Sequence, residues 1–167
     1  MKASALKNMA VISMADGVQI GRVEDVLFDT ANLRVAALAL ATSGGQSVLP
    51  FGSVHRIGAD AVTVEAATAA QPAASTAPGN ALRHLSDMIG LKVVNGEGTH
   101  LGDVRDVVID EAGGGLTELE AHRGGMLGMG GTSVTVPASA VRGIGPDLVT
   151  ADMPAPPVEG KGAGPSA

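Results

Sequence analysis

Apolar and polar residues alternate in short runs along most of the chain, a pattern typical of β-strands rather than helices. The strands predicted in the first third are 9–13, 19–28, 34–41, 46–49 and 61–65. Glycine-containing turns separate them, and helical periodicity is almost absent apart from room for one turn after Pro50. Within 19–28 the apolar positions change parity, which predicts a bend or bulge with Gly21 as its hinge.

Part of this pattern occurs twice. Residues 21–29 return 81 positions later as 102–110 with five of nine residues identical, and 50–63 match 137–150 at seven of fourteen positions. The repeated positions that we assign to the scaffold are Gly21, Asp25, Asp29 and Pro50, which return as Gly102, Asp106, Asp110 and Pro137. An internal repeat indicates two copies of one small fold. The sequence therefore predicts an all-β protein of two small antiparallel barrels in tandem, each with a short helical turn before its last strand.

The repeats bound the predicted domains, 1–65 and 82–153. Residues 66–81 are rich in alanine and carry no charge, so they are predicted to be a linker, and the tail 154–167 to be disordered. The first six residues are interpreted as a loose lead-in. The longest apolar run has seven residues, 35–41, far below the roughly 20 of a membrane span, so the expectation is a soluble, cytoplasmic protein.

The two copies differ most between their third and fourth strands, where the second has six extra residues within 122–131. Met126, Leu127 and Met129 stand there among glycines, with Arg123 at the start. Apolar, flexible side chains on such a loop suit an adaptable contact surface. Alternatively, the loop folds back over its own barrel or against the other copy, and the sequence leaves both interpretations open.

The order and spacing of these motifs resemble the PRC-barrel family. The matching elements of the first copy are Asp16-Gly17, Ile20-Gly21, Val23, Asp25, Asp29, Val48-Leu49-Pro50 and Ile57-Gly58. Those of the second are Glu97-Gly98, Leu101-Gly102, Val104, Asp106, Asp110, Val136-Pro137 and Ile144-Gly145. The resemblance implies prokaryotic origin and a barrel that docks proteins without catalysing a reaction. The family includes the cytoplasmic domain of the photosynthetic reaction-centre H subunit and the C-terminal domain of a ribosome-maturation factor.

The remaining chemistry is sparse. The chain has no cysteine, a net charge of −6 and scattered basic residues, which argue against thiolate metal sites and direct nucleic-acid binding. The repeated aspartates Asp25, Asp29, Asp106 and Asp110 could ligate Ca²⁺ or Mg²⁺, but residues four apart in one strand lie about 13 Å apart. The alternative, which we favour, is that they cap turns and accept backbone donors.

We therefore assign no catalytic, cofactor-binding or metal-ligating residues. The leading hypothesis is a non-enzymatic interaction module that docks a protein partner or pairs with another copy of itself as a homodimer. The duplication also allows the two barrels to pair within one chain, as the subunits of a two-fold dimer do. Two alternatives remain. One is a ribosome- or RNA-associated assembly factor, and the other is a metal-dependent sensor or enzyme that uses the repeated aspartates.

Overall fold

The computed structural model describes residues 1–72, 82–124 and 131–154, which form fourteen strands and one short helix. The strands within residues 1–72 are β1 (Ala10–Ser13), β2 (Val18–Asp29), β3 (Arg34–Thr42), β4 (Gly45–Pro50), β5 (Val54–Ile57), β6 (Ala61–Val64) and β7 (Gln71–Pro72). Those that follow are β8 (Leu82–His84), β9 (Lys92–Asn95), β10 (His100–Ile109), β11 (Leu116–Arg123), β12 (Thr132–Pro137), β13 (Val141–Ile144) and β14 (Leu148–Ala151). The helix α1 (Leu85–Met88) is one turn long. The predicted all-β class is confirmed.

The strands form two barrel-like sheets in tandem. The first has the order β5-β6-β1-β2-β3-β4-β7, with β8 added to β2, and the second has the order β12-β11-β10-β9-β14-β13. Neighbours are antiparallel except for one parallel pair in each sheet, β1 with β6 and β9 with β14. That pair returns the last hairpin to β1 in the first copy and to β9 in the second. A 3₁₀ turn, Phe51–Ser53 or Ala138–Ala140, precedes each last hairpin.

The bulge predicted in β2 is present, because the pairing with β1 shifts register directly before Gly21. β10 shifts against β9 directly before Gly102. Both glycines lie close to backbone on the neighbouring strand: a Cβ on Gly21 would be 2.7 Å from the Ala41 carbonyl oxygen, and one on Gly102 would be 3.1 Å from that of His122. A bulge bends its strand, which lets both long strands curve around the core.

One apolar core runs through both copies. Alternate residues of the strands face it, as the period of two requires. Its largest fully buried side chain is Phe28, and the rest is aliphatic apart from Phe51 and methionine. Because the core is continuous, neither sheet buries its apolar face alone.

The lead-in segments of the two copies each pack on the other copy. Residues Ala3–Leu6 form a 3₁₀ turn whose Ala3 and Leu6 are fully buried, so the expectation of a loose lead-in is wrong. The Met1 ammonium donates a hydrogen bond to the Ile109 carbonyl at 2.9 Å, and the Ile109 amide donates to the Met1 carbonyl at 2.8 Å. These bonds tie the first six residues to β10 of the second copy.

The lead-in segment of the second copy packs in turn on the first copy. Its first strand, β8, pairs with β2 of the first sheet, with Leu27 opposite His84 and Asp29 opposite Leu82. The helix α1 follows, and both Leu85 and Met88 are buried in the core. The two copies therefore exchange their lead-in segments.

The first sheet also continues into the predicted linker, 66–81. Residues Ala67–Ala69 form a 3₁₀ turn, and β7 pairs with β4 through Ser47 opposite Pro72 and Val48 opposite Gln71. The remainder of that segment, 73–81, lies outside the described residues, as does 155–167 of the predicted tail.

Candidate interaction surface

Of the four contact residues predicted in the long loop, the structure describes only Arg123. Arg123 is the last residue of β11, lies opposite Thr132 of β12 and is half-buried. Met126, Leu127 and Met129 fall outside the described residues, so their contact role stays a prediction. Gly131 follows that segment with a positive φ of 96°, and a Cβ there would be 2.4 Å from Nε2 of His122.

The repeated aspartates Asp25 and Asp106 each lie where the lead-in segment of the other copy packs on their strand. Asp25 accepts a hydrogen bond from the Val26 amide at 2.8 Å and from Ser86 Oγ at 2.6 Å. Asp106 accepts from the Val107 amide at 2.8 Å and from both the amide and the hydroxyl of Ser4. Each aspartate thus binds its own strand and the serine of the other copy's lead-in.

Hydrogen-bond donors and nearby basic side chains stabilise the charged form of the Asp25 carboxylate. Partial burial by itself raises its pKa, but hydrogen bonds from Ser86 and Val26, with the nearby charges of Lys7 and His84, outweigh it and lower the pKa of Asp25. Lys7 Nζ lies 3.9 Å and His84 Nδ1 3.3 Å from its oxygens. The Asp25 carboxylate is therefore held in its charged form where the second copy's lead-in segment packs on β2.

Asp29 and Asp110 lie in the turns after the long strands. Asp29 accepts hydrogen bonds from the amides of Ala31 and Asn32 at 3.0 and 3.1 Å, and from the Asn32 side chain at 2.7 Å. The Asn32 side chain is the main cause that lowers the pKa of Asp29. Asp110 accepts from the amides of Ala112 and Gly113, both at 3.2 Å. Each carboxylate holds its turn closed.

Pro50 and Pro137 end β4 and β12 and lead into the two 3₁₀ turns. No group of three or more histidine, cysteine, aspartate or glutamate side chains comes together to hold a metal ion within the residues that the structure describes. The same carboxylates are engaged by hydrogen-bond donors of the protein instead.

The two copies meet in a short, two-fold pattern of backbone hydrogen bonds. The Val35 amide donates to the Gly114 carbonyl, and the Leu116 amide donates to the Leu33 carbonyl, both at 2.8 Å. These are matching positions of the repeat, 81 residues apart, and Arg34 lies opposite Gly115 between them. Position 35 thus bonds to the counterpart of position 33, and position 33 bonds to the counterpart of position 35. A reciprocal contact of this kind is isologous, as in a two-fold dimer.

A cleft of about 520 Å³ opens beside this junction. The first copy lines it with Arg34, Phe51 and the strand β5, and the second copy lines it with the turn 111–113. The Arg34 guanidinium donates to the Gly113 carbonyl at 3.1 Å, which links the two walls. Sequence reasoning missed this cleft because its two walls are 54 to 79 residues apart in the chain.

Comparison with known proteins bears on the fold and its class of function. A sequence profile described as PRC-barrel domain matches residues 1–71 and 82–154. No curated protein matches the chain. PRC-barrel domains are generally protein-interaction modules and are generally non-catalytic. None of the helices in the described ranges has the length and hydropathy that a membrane span requires. The chain belongs to the PRC-barrel family, of which it carries two domains in tandem.

Proposed function

We propose that this protein is a non-enzymatic docking module of the cytoplasm, in which two PRC barrels form one platform for a protein partner. The observation that carries the proposal is the two-fold junction with its exchanged lead-in segments. Backbone hydrogen bonds and a shared core join the barrels, so the face on which they pair is occupied within the chain. A partner therefore has to bind another surface.

The loop between β11 and β12 is the surface that we assign to this partner, with Met126, Leu127, Met129 and Arg123 as contact residues. It is where the two copies differ most in length. Flexible methionine and leucine side chains adapt to a partner's surface, and an arginine beside them adds a charged hydrogen-bond donor.

Immobilised full-length protein tests the proposal by capture from an extract of the cells that make it. The variant Met126→Ser, Leu127→Ser, Met129→Ser should lose the partner that the unmodified chain retains. A control variant, Met14→Ser with Val18→Thr, removes two apolar side chains that are 56% and 49% exposed on the β1–β2 hairpin, and it should retain the partner.

The same three proteins are compared by thermal unfolding and light scattering. Equal melting temperatures with selective loss of the partner support docking through the loop. A monomer that captures no specific partner contradicts the docking function. If the triple variant unfolds instead, the loop packs on the protein and is not the contact surface.

A further inference from the structure

The cleft between the barrels carries side chains that the repeat does not duplicate. Its first-copy wall includes Arg34, Phe51 and Arg56. The matching positions of the second copy hold, in the same order, Gly115, Ala138 and Gly143. The first copy thus has two arginines and a large aromatic ring at this site, whereas the second copy has only glycine and alanine at the matching positions. The second copy forms its own sheet without them, so the repeated pattern does not account for these side chains.

A neighbouring pair of side chains, by contrast, is present in both copies. His55, which also lines the cleft, lies 3.2 Å from Glu65, and the matching residues Arg142 and Asp152 are paired at 3.5 Å. This pair is kept in both copies, so it belongs to the hairpin of the scaffold. Arg56, one position further on, has no counterpart of its kind.

Within the described part of the chain, Arg56 is the arginine of the cleft whose charged group is free to bind a ligand, because Arg34 is already engaged within the protein. Arg34 donates to the Gly113 carbonyl and lies opposite Asp29 in the sheet, which engages its charge. Arg56 is exposed, and the structure shows neither an ion pair nor a side-chain hydrogen bond for it among the described residues. Glu111 is the carboxylate on the lining, and it lies in the turn that Arg34 contacts.

The floor of the cleft is apolar. Phe51 and Ile57 are 7% exposed, and Val54 between them is half-buried. The Phe51 ring lies against Gly114 of the second copy, where a Cβ would be 2.7 Å from the ring atom Cε2. The absence of a side chain at that glycine lets the ring form a floor that spans the junction.

We propose that this cleft binds a short acidic segment of the protein partner, with a carboxylate on the Arg56 guanidinium and an apolar side chain over Phe51. The volume of about 520 Å³ lies in the range of about 300 to 1,000 Å³ that ligand pockets have. A guanidinium binds a carboxylate with two parallel hydrogen bonds, which suits an acidic side chain. The inference rests on the proposed docking function, because it states the chemistry of the segment that a partner presents.

Peptide binding to the full-length protein tests the inference directly. The probe is a fluorescent eight-residue peptide that alternates leucine and glutamate, and the control peptide has glutamine in place of glutamate. We expect the acidic peptide to bind, and the variant Arg56→Ala to weaken it about tenfold through loss of the charge-assisted pair. Because salt screens exposed charges, binding should also weaken at about 0.5 M ionic strength.

The matched control is Arg142→Ala, which removes an exposed arginine from the corresponding hairpin and should leave the affinity unchanged. Both arginines are exposed, and an exposed ion pair such as Arg142–Asp152 contributes little to stability, so both variants should stay close to the melting temperature of the unmodified protein. Equal binding of the glutamine peptide, equal loss in both variants, or no binding at millimolar peptide overturns the inference. If the peptide fails while the loop variant still loses its partner, the cleft assignment falls and the docking function stands.

Discussion

Asp25 and Asp106 occupy the same position of the repeat, yet their surroundings differ. Both accept a strand amide and a serine from the opposite lead-in. Asp25 has, in addition, Lys7 and His84 within 4 Å of its oxygens. One scaffold position has therefore acquired an electrostatic cluster in one copy only, and the acid stability of the protein should depend on that cluster.

The pH dependence of stability should show the charge on Asp25. Its folded-state pKa is lowered, so its stabilisation is fully present above the unfolded-state pKa of about 3.9 and is lost as the pH falls through the folded-state value below that. We expect Asp25→Asn to be less stable than the unmodified protein at pH 7 and to lose less stability below about pH 4. Urea unfolding at several pH values measures this.

Asp60→Asn is the control for that series, because Asp60 is exposed and the described residues offer it no hydrogen bond or ion pair. Its pH profile should follow that of the unmodified chain. If the unmodified protein and Asp25→Asn lose stability in parallel down to pH 3, the charge of Asp25 is not stabilising.

Gly114 provides a second test at the residue scale. It has a φ of 75°, and a Cβ there would overlap the Phe51 ring, whereas the neighbouring Gly115 has nothing within 4 Å of such an atom. We expect Gly114→Ala to lower the free energy of unfolding by about 2 kcal/mol, since a left-handed conformation costs a non-glycine residue about 1–2 kcal/mol before any clash. Gly115→Ala should change it by less than about 0.5 kcal/mol. A loss in Gly114→Ala as small as that in Gly115→Ala would show that the junction tolerates a side chain at position 114.

At the scale of elements, the exchanged lead-in segments are what joins the two sheets. Both segments, Ala3–Leu6 and β8 through α1, are short. Neither is stable alone, because the hydrogen bonds of a single turn do not offset the conformational entropy lost in nucleating it. Their stability comes from burial of Leu6, Leu85 and Met88 in the shared core and from hydrogen bonds to the opposite long strand.

A substitution in the first lead-in should therefore act like one in the core. Leu6 is fully buried, and we expect Leu6→Ala to lower the free energy of unfolding by about 3 kcal/mol. Leu148→Ala, at a position that is 37% exposed, should lower it by less than about 1 kcal/mol. Chemical denaturation measures both. A small effect of Leu6→Ala, equal to that of Leu148→Ala, would mean that the first six residues are loose after all.

For the whole molecule, the shared core and the two-fold junction indicate that the barrels fold as one cooperative unit. We expect a single calorimetric transition, with amides of β2 and β10 exchanging their hydrogens with the same free energy of opening. Leu6→Ala, which lies in the first copy, should lower protection in both sheets. Two transitions, or loss of protection confined to one sheet, would show that the barrels unfold independently.

The strands and the duplication could be predicted because their signals are local. Alternation over a few residues, a glycine after a strand and a proline at its end each determine backbone conformation within a few positions. The bulge before Gly21 could likewise be predicted, because the apolar positions of β2 change from one face of the strand to the other. The family resemblance follows from these same local motifs, since their order and spacing are what a sequence comparison detects.

The rest depended on contacts between residues far apart in the chain. Ser4 and Asp106 are 102 positions apart, and no local pattern in the first six residues shows that they bind there. The same holds for the cleft, whose walls come from both copies. The sequence alone thus determined the repeated barrel, because alternation and turns act over a few residues. Only the tertiary structure decided the exchange of lead-in segments and the cleft, because burial and charge there depend on which copy packs against which.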